Sequence, residues 1–287
     1  MQNRYLPLLG VIVLVPASAT AQTCDVETVT GPQPVALVLE PFAAVAPTGH
    51  VTLSLRAPDA RVLDLRFRAD GRAGSGDFAV SFEASSTDIP IRRLEDDRYR
   101  FELPAGQAVR LGFSVAAAAE HVPPPGRTDL TFAVDAADAA TGAVCLRETN
   151  LPIGITVPSR AEMNLAGASG AFDTGKSFYS IDFGAVREGD ERNVAVQFRA
   201  NGDAALSFRS RNGGRMVSTT LPNYAIGYLT YLNGQNLPLT GETIVPVPPA
   251  RSLRGTSLPL RIVIADVPPL PAGEYTDTIT ITISAIQ

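Results

Sequence analysis

Isoleucine and threonine alternate without interruption from Thr278 to Ile283, close to the C-terminus. Successive side chains of an extended strand point to opposite faces, so the three isoleucines share one face and the three threonines the other. Both residue types are branched at Cβ, which favours strand over helix. The segment predicts a half-buried antiparallel strand with a continuous hydrophobic face.

The rest of the chain has the same character. Runs rich in Val, Ile, Thr and Phe are separated by turns, and 24 glycines and 23 prolines are spread over 287 residues. No stretch has the i, i+3, i+4 spacing of a long amphipathic helix. We therefore predict an all-β protein, with strands in the second half at residues 178–183, 193–199, 204–209, 225–232, 258–264 and 275–283.

The first residues predict a secretory signal peptide. Arg4 is followed by an apolar run over residues 6–15 and by Ala19 and Ala21, the small residues of a cleavage site. This run is too short for a transmembrane helix, which needs about 20 residues. We expect cleavage before Gln22, so that residues 1–21 are removed and the chain is exported.

Charge and cysteine content narrow the possible partners and the compartment. The formal net charge is -5, which argues against nucleic acid, because a polyanion requires clustered cations. Cys24 and Cys145 are expected to form one disulfide in an oxidising compartment. The alternative, a metal or redox pair, has no third ligand near either cysteine.

A weak internal repeat relates the two halves. Phe42-Ala-Ala-Val45 and Phe183-Gly-Ala-Val186 each precede an alternating run, and each half later has a proline-rich turn followed by a strand. Each half is then predicted to be one β-sandwich. The predicted domains are an N-terminal sandwich over residues 22–158, a linker over 159–174 and a C-terminal sandwich over 175–287.

The halves differ after their last matched strand. The first continues through residues 143–157, enough for a further closing strand, whereas the second stops at Ser284-Ala-Ile-Gln287. The second sandwich is predicted to lack its final strand and to expose a hydrophobic edge, which invites aggregation unless another chain fills it. Filling by a neighbour's extended segment is donor-strand complementation. Alternatively, the second half closes itself with a strand such as residues 243–247.

The start of the mature chain offers no segment to donate in return. Residues 22–34 precede the first expected strand and contain Cys24, Pro32 and Pro34. A central strand does not accept prolines so closely spaced. A subunit that accepts a strand and donates none ends a polymer, which predicts a position at the tip.

The second half contains Ile181-Asp-Phe-Gly184, Arg199-Ala-Asn-Gly-Asp-Ala-Ala-Leu-Ser-Phe208, Asn212-Gly-Gly-Arg-Met216, Tyr228-Leu-Thr-Tyr-Leu-Asn-Gly234 and Pro271-Ala-Gly-Glu-Tyr-Thr-Asp-Thr-Ile-Thr-Ile-Thr-Ile283. Together these segments resemble the spore coat protein U-like domain of archaic, Csu-type chaperone-usher pilins. The last segment is the most specific. The resemblance covers about residues 173–287.

This resemblance implies an immunoglobulin-like, pilin-type sandwich that is held by a periplasmic chaperone, passed to an outer-membrane usher and displayed in a surface fibre. It implies that the last strand pairs first with the chaperone and then flanks the donor strand of a neighbouring pilin subunit. The residues expected at that edge are Thr278, Ile279, Thr280, Ile281, Thr282 and Ile283. An extra N-terminal domain and a second half without cysteine depart from single-domain shaft subunits and fit a two-domain tip adhesin.

Catalytic and metal-binding chemistry is poorly supplied. The two histidines, His50 and His121, and a serine in a glycine-rich turn, Ser75, lack the partners of a catalytic site. The acids at residues 70, 77, 88 and 95–97 lack the spacing of a calcium loop. Arginines around residues 92–100 can meet an acidic or glycan surface but are more typical of a charged hairpin. We expect no enzymatic activity, metal or cofactor.

The sequence favours a tip adhesin or minor tip subunit of a secreted fimbria, whose first domain contacts an unknown surface or glycan target. A structural shaft or adaptor pilin is the alternative if residues 35–40 form a free strand that can be donated. A stand-alone periplasmic β-sandwich binding protein is favoured instead if the second half proves closed.

Overall fold

A computed structural model of the chain describes residues 24–69, 78–165, 172 and 178–286. The predicted signal peptide and residues 166–171 and 173–177 of the predicted domain boundary lie outside these ranges. Every regular element of the described residues is a strand, which confirms the all-β prediction. The described part of the chain contains no helix that is long and apolar enough to cross a membrane.

Ten of the described strands belong to the first half: β1 (Glu27–Thr30), β2 (Val35–Val38), β3 (Thr48–Arg56), β4 (Arg61–Ala69), β5 (Ala79–Thr87), β6 (Ile91–Glu95), β7 (Arg98–Leu103), β8 (Val109–Ala118), β9 (Gly126–Asp138) and β10 (Val144–Val157). Ten follow: β11 (Ala161–Leu165), β12 (Glu191–Ala200), β13 (Ala204–Ser210), β14 (Arg215–Ser218), β15 (Ala225–Leu232), β16 (Gln235–Asn236), β17 (Thr243–Val247), β18 (Thr256–Asp266), β19 (Tyr275–Thr276) and β20 (Ile279–Ala285).

The first half is a sandwich of two sheets. One has the order β1-β3-β8-β5 and the other β2-β10-β9-β4-β7-β6. Alternate side chains of both sheets meet in one core, because strands of a sandwich direct every second residue inward. Phe67 stacks on Phe82 with ring centroids 4.2 Å apart and meets Phe113 edge-on at 4.9 Å.

β10 completes this first sandwich. It pairs antiparallel with β9 and parallel with β2, so it lies between them. Four of its inward residues, Leu151, Ile153, Ile155 and Val157, are at most 3% exposed. The predicted closing strand at residues 143–157 is therefore present, and it fills the core of its own half.

The second half also has two sheets around a separate core. The larger sheet has the order β11-β12-β18-β15-β14-β19, with β16 added to β15, and the smaller has the order β17-β13-β20. The inward residues of β13, Ala204, Leu206 and Phe208, are fully buried. The fold therefore consists of two β-sandwiches, as predicted.

Three features of the second half differ from the predicted strands. Residues 178–183 form no strand. The predicted strand 275–283 is two strands, β19 and β20, which belong to different sheets and are separated at Asp277 and Thr278. β11 lies inside the stretch predicted as a linker and is paired with β12.

A buried asparagine fastens the chain where it leaves β10. Asn201 is fully buried. Its side-chain oxygen accepts a hydrogen bond from the Arg160 backbone N–H at 2.8 Å, and its Nδ2 donates to the Pro158 carbonyl at 2.9 Å. The Arg160 guanidinium also donates two hydrogen bonds to the Glu40 carboxylate, at 2.8 and 2.9 Å. Residues 158–160, which connect the two halves, are thus hydrogen-bonded to Asn201 of the second half and to Glu40 of the first.

Candidate functional site

β20 is the last strand of the three-stranded sheet. It pairs with β13 along its whole length, from Ser210 opposite Ile279 to Ala204 opposite Ala285. Within the described ranges, no strand pairs with its other side. The strand that the sequence singled out therefore lies at an open sheet edge.

The two faces of β20 differ as the sequence predicts. The face of Ile279, Ile281 and Ile283 packs against the second core and is half-buried, whereas Thr280 and Thr282 are exposed. Thr278 precedes the strand rather than belonging to it, and its carbonyl accepts a hydrogen bond from the Arg211 N–H at 2.9 Å.

β11, at the end of the larger sheet, lies close to β20. It contributes Met163 and Leu165, which are also half-buried against the same core. These apolar side chains and the three isoleucines of β20 are more exposed than the inward residues of β10 in the first sandwich, such as Ile153 at 0%. The second core is therefore incompletely covered between β11 and β20.

The register fixes which backbone groups of β20 are available. In an antiparallel ladder the N–H and C=O of one residue point to the same neighbour, and successive residues alternate. The Arg211 N–H donates to the Thr278 carbonyl, and the Ile286 N–H donates to the Asp203 carbonyl. The backbone N–H and C=O groups of the even-numbered residues of β20 therefore point to β13. The N–H and C=O groups of Ile279, Ile281 and Ile283 consequently point to the open side.

The opposite edge of the same sheet is protected. β17 pairs with the other side of β13, with Val247 opposite Ala204 and Pro246 opposite Ala205. By the same alternation Pro246 and Ile244 face outward, and a proline provides no N–H there. Proline on the outward side of an edge strand blocks further pairing. Residues 243–247, the alternative closing strand, thus join the sheet without covering β20.

Residues 178–182 lie directly before the Phe183-Gly-Ala-Val186 segment, much as β2 lies shortly before Phe42-Ala-Ala-Val45 in the internal repeat. In the first half, the pairing partner of β2 is β10. The described second half has no strand that corresponds to β10, which explains why residues 178–183 are not a strand. Phe178 and Tyr179 are 69% and 40% exposed.

Asp277 connects β20 to the rest of the second sandwich. Its Oδ2 accepts hydrogen bonds from the Ser210 hydroxyl and the Tyr228 hydroxyl, both at 2.5 Å. Its Oδ1 accepts from the backbone N–H groups of Asn212 at 3.0 Å and Thr278 at 2.7 Å. Burial raises the pKa of Tyr228, and the hydrogen bond to Asp277 acts in the same direction.

Cys24 and Cys145 form the predicted disulfide, with their Cα atoms 4.6 Å apart. Cys145 is the second residue of β10, so the cross-link holds the start of the described chain at the end of β10 that is remote from Arg160. The strands that follow Cys24, β1 and β2, are both paired within the first sandwich.

The other sequence candidates do not assemble into a site. Within the described ranges no three His, Cys, Asp or Glu side chains are grouped as metal ligands. The arginines of the hairpin are largely paired, for example Arg93 with Asp96 and Arg100 with Asp64. Asp88 pairs with Arg110. Ser75, Asp70 and Asp77 lie outside the described residues.

Sequence reasoning missed Pro246 and β11 as parts of this site. Pro246 was recognisable as a proline in an alternating segment, but its meaning depends on which edge the strand occupies. β11 is only five residues long and lacks a regular apolar–polar alternation, and it lies in a stretch rich in Gly, Ala and Ser. Neither position could be assigned without the pairing of the sheets.

No family model matches the chain, and no curated protein matches it. Among solved structures, it is similar to the chaperone–tip adhesion subunit pre-assembly complex of archaic chaperone-usher Csu pili from Acinetobacter baumannii. Identity is 13%, the TM-score is 0.44, and 88% of this chain and 99% of that chain are covered.

Two further solved structures are similar. A chaperone–tip adhesin complex of CFA/I fimbriae has 10% identity and a TM-score of 0.39, with 90% of this chain and 98% of that chain covered. The CFA/I adhesin of enterotoxigenic Escherichia coli, as a point mutant, has 13% identity and a TM-score of 0.35, with 93% and 79% covered.

Proposed function

We propose that the protein is a chaperone-usher fimbrial subunit whose second sandwich is completed by a strand from another chain. The observation that carries this proposal is the edge of β20, where a half-buried isoleucine face lies beside outward-facing backbone groups. Such an edge is a template for pairing with an added strand. A periplasmic chaperone would supply that strand first and a neighbouring pilin subunit later.

The energetics favour an added strand. Full burial of an isoleucine side chain is worth about 1.5–3 kcal/mol relative to full exposure. Ile279, Ile281 and Ile283 have realised only part of this. An inserted strand would cover them and would also pair their outward backbone groups. Pro246 makes the opposite edge of the same sheet a poor competitor.

The first sandwich indicates how the strand would lie. There β10 runs antiparallel to β9 and parallel to β2. A strand added to the second sandwich in the same way runs antiparallel to β20, with residues 178–183 parallel on its other side. Its inward positions would be large and aliphatic, like Leu151, Ile153 and Ile155 of β10.

A tip position is supported by the start of the chain. A shaft or adaptor subunit must donate a strand, and residues 35–40 were the candidate. Val35 and Leu37 are 6% and 2% exposed, and β2 is paired with β10. Residues 35–38 are therefore part of their own sandwich, and the disulfide at Cys24 fastens the residues before them.

In this proposal residues 22–158 form the adhesin-like domain, and residues 175–287, together with β11, form the pilin domain. The chain would be exported, carried by the chaperone to an outer-membrane usher and displayed on the cell surface or released with the fibre. The first domain would contact a surface or glycan target, and no catalytic step is involved.

The test substitutes proline at matched outward-facing positions of the two edges. Ile281→Pro removes an N–H from the open edge of β20, and Ile244→Pro removes one from the edge of β17. Ile281→Ala reports the loss of side-chain packing alone. Each full chain is co-expressed in a periplasm with the chaperone encoded in the same fimbrial locus, and the co-purified complex is quantified.

We expect Ile281→Pro to reduce the complex at least about tenfold, as the loss of a central ladder hydrogen bond with added strain implies. Ile244→Pro should form the complex as the unsubstituted chain does, and Ile281→Ala should fall between them. A stable monomer that ignores the chaperone, or equal effects of Ile281→Pro and Ile244→Pro, would refute a strand-accepting β20.

A further inference from the structure

The sequence of β20 leaves its register undetermined. Register in a half-buried strand is set by the hydrophobic pattern, since a shift of one residue moves every side chain to the other face. A shift of two residues that brings Thr282 opposite Arg209 avoids this, because every side chain stays on its own face and Ile283 and Ala285 then lie opposite Phe208 and Leu206. The alternation that identifies the strand therefore cannot fix its position along β13.

The residues of β13 that lie opposite β20 do little to favour one register over the other. Leu206 and Phe208 lie opposite Ile283 and Ile281, and a shift of two residues still places an aliphatic side chain opposite each. At the far end, the Ile286 N–H donates to the Asp203 carbonyl at 2.8 Å, a backbone bond that any residue other than proline can make. Another feature must hold the strand in place.

Asp277 is that feature. It directly precedes the repetitive segment, and its carboxylate accepts hydrogen bonds from three other places: Ser210 at the end of β13, Asn212 in the following turn, and Tyr228 in the opposite sheet. Ser210 and Tyr228 are only 7% and 8% exposed. A two-residue shift would move this carboxylate by about 7 Å and break all three bonds.

We propose that Asp277 is the positioning residue that sets the register of β20. No residue of the repetitive segment can substitute for it, because Thr278, Thr280 and Thr282 are chemically alike. The register holds whether or not the strand accepts a partner. Its consequence, that the backbone groups of Ile279, Ile281 and Ile283 meet an incoming strand at defined positions, rests on the proposed function.

The experiment traps the register by disulfide cross-linking on the exposed face. Arg209 and Thr280 are paired in the native register, so Arg209→Cys with Thr280→Cys reports that register. Arg209→Cys with Thr282→Cys reports a shift of two residues. Each pair is built into the full chain with and without Asp277→Ala, oxidised mildly without any partner protein, and quantified by peptide mapping.

We expect Asp277→Ala to raise the shifted cross-link about tenfold or more and to lower the native one, since hydrogen bonds to a charged group are among the stronger ones. Asp277→Asn, which keeps one acceptor oxygen, should give an intermediate value. The matched control is Asp203→Ala, at the other end of the β13–β20 ladder. It removes the same charge but no side-chain hydrogen bond to another described residue, and should leave both cross-links unchanged.

If Asp277→Ala does not fold, Tyr228→Phe removes one of the bonds and should raise the shifted cross-link by a smaller factor. Native cross-linking that is equal in Asp277→Ala and Asp203→Ala overturns the proposal, as does Tyr228→Phe with no shifted product. Because no partner is present, this result is independent of chaperone binding, which separates it from a failure of the proposed function.

Discussion

A partly buried ion pair of the first sandwich joins two neighbouring strands. Arg100 of β7 donates two hydrogen bonds to Asp64 of β4, at 2.7 and 2.9 Å, and the Asp64 side chain is 18% exposed. Two parallel bonds between a guanidinium and a carboxylate are the more favourable form of such a pair. The guanidinium lowers the pKa of Asp64, chiefly through this hydrogen bonding.

The lowered pKa predicts how Asp64→Asn depends on pH. A carboxyl whose pKa is lower in the folded state stabilises the fold above its unfolded-state pKa, and this stabilisation is lost as pH falls through the folded-state pKa. The free energy of unfolding of the variant should therefore be lower near neutral pH and should converge with the unsubstituted chain in acid. Urea unfolding at several pH values measures this difference.

Asp129→Asn is the control for that titration. Asp129 also pairs with an arginine, Arg127, but the two side chains are 67% and 69% exposed. Exposed pairs contribute little because water screens them. A gap between Asp64→Asn and the unsubstituted chain that is constant with pH, or equal to that of Asp129→Asn, would contradict the assigned role of Arg100.

At the scale of elements, residues 178–183 and β20 correspond to the two strands that flank β10 in the first half, β2 and β9. β2 is a strand because β10 lies beside it. Residues 178–183 have the composition of a strand but no such neighbour among the described strands. Their backbone N–H and C=O groups should therefore become hydrogen-bonded when a strand is added.

Hydrogen exchange should detect that change. In the chaperone complex, amides of residues 178–183 should exchange at least about tenfold more slowly than in the free chain, because pairing with the added strand protects them. The outward amides of Ile279, Ile281 and Ile283 should slow as well. Residues 260–263 of β18, already paired on both sides, serve as the reference. Unchanged exchange at residues 178–183 would show that they do not flank the added strand.

Features that depend on how strands pair could not be predicted from the sequence, whereas local patterns could. The alternation in β20, the closing strand β10 and the disulfide were predictable because each depends on local pattern or on two cysteines alone. The division of residues 275–283 between two sheets was not, since Asp277 ends one strand and begins another through contacts with Ser210 and Tyr228. Likewise, residues 178–183 have strand propensity without a strand to pair with.

At the scale of the whole molecule, two separate hydrophobic cores and one disulfide define the expected stability. The core of the first half includes Cys145 and the inward face of β10, and the core of the second begins beyond Arg160. The disulfide spans 121 residues, all in the part that contains the first core. Its contribution should therefore act on the first sandwich.

Removal of both cysteines, Cys24→Ser with Cys145→Ser, should destabilise the first sandwich by about 2–5 kcal/mol, since the cross-link restricts the unfolded chain. Calorimetry of the full chain should show two transitions, of which only one moves to lower temperature. The unmoved transition is the internal control. A single transition, or two that shift together, would contradict the proposed division at residues 159–174.

The two edges of the three-stranded sheet have a consequence for stoichiometry. Pro246 prevents strand addition at the β17 edge, whereas the β20 edge can still pair with a strand. This sheet can therefore be extended by one strand, and only at the β20 edge. Titration with any excess of a complementary strand should saturate this sheet at a molar ratio of one. The asymmetry thereby separates controlled assembly from the unlimited lateral stacking of β-chains that leads to amyloid.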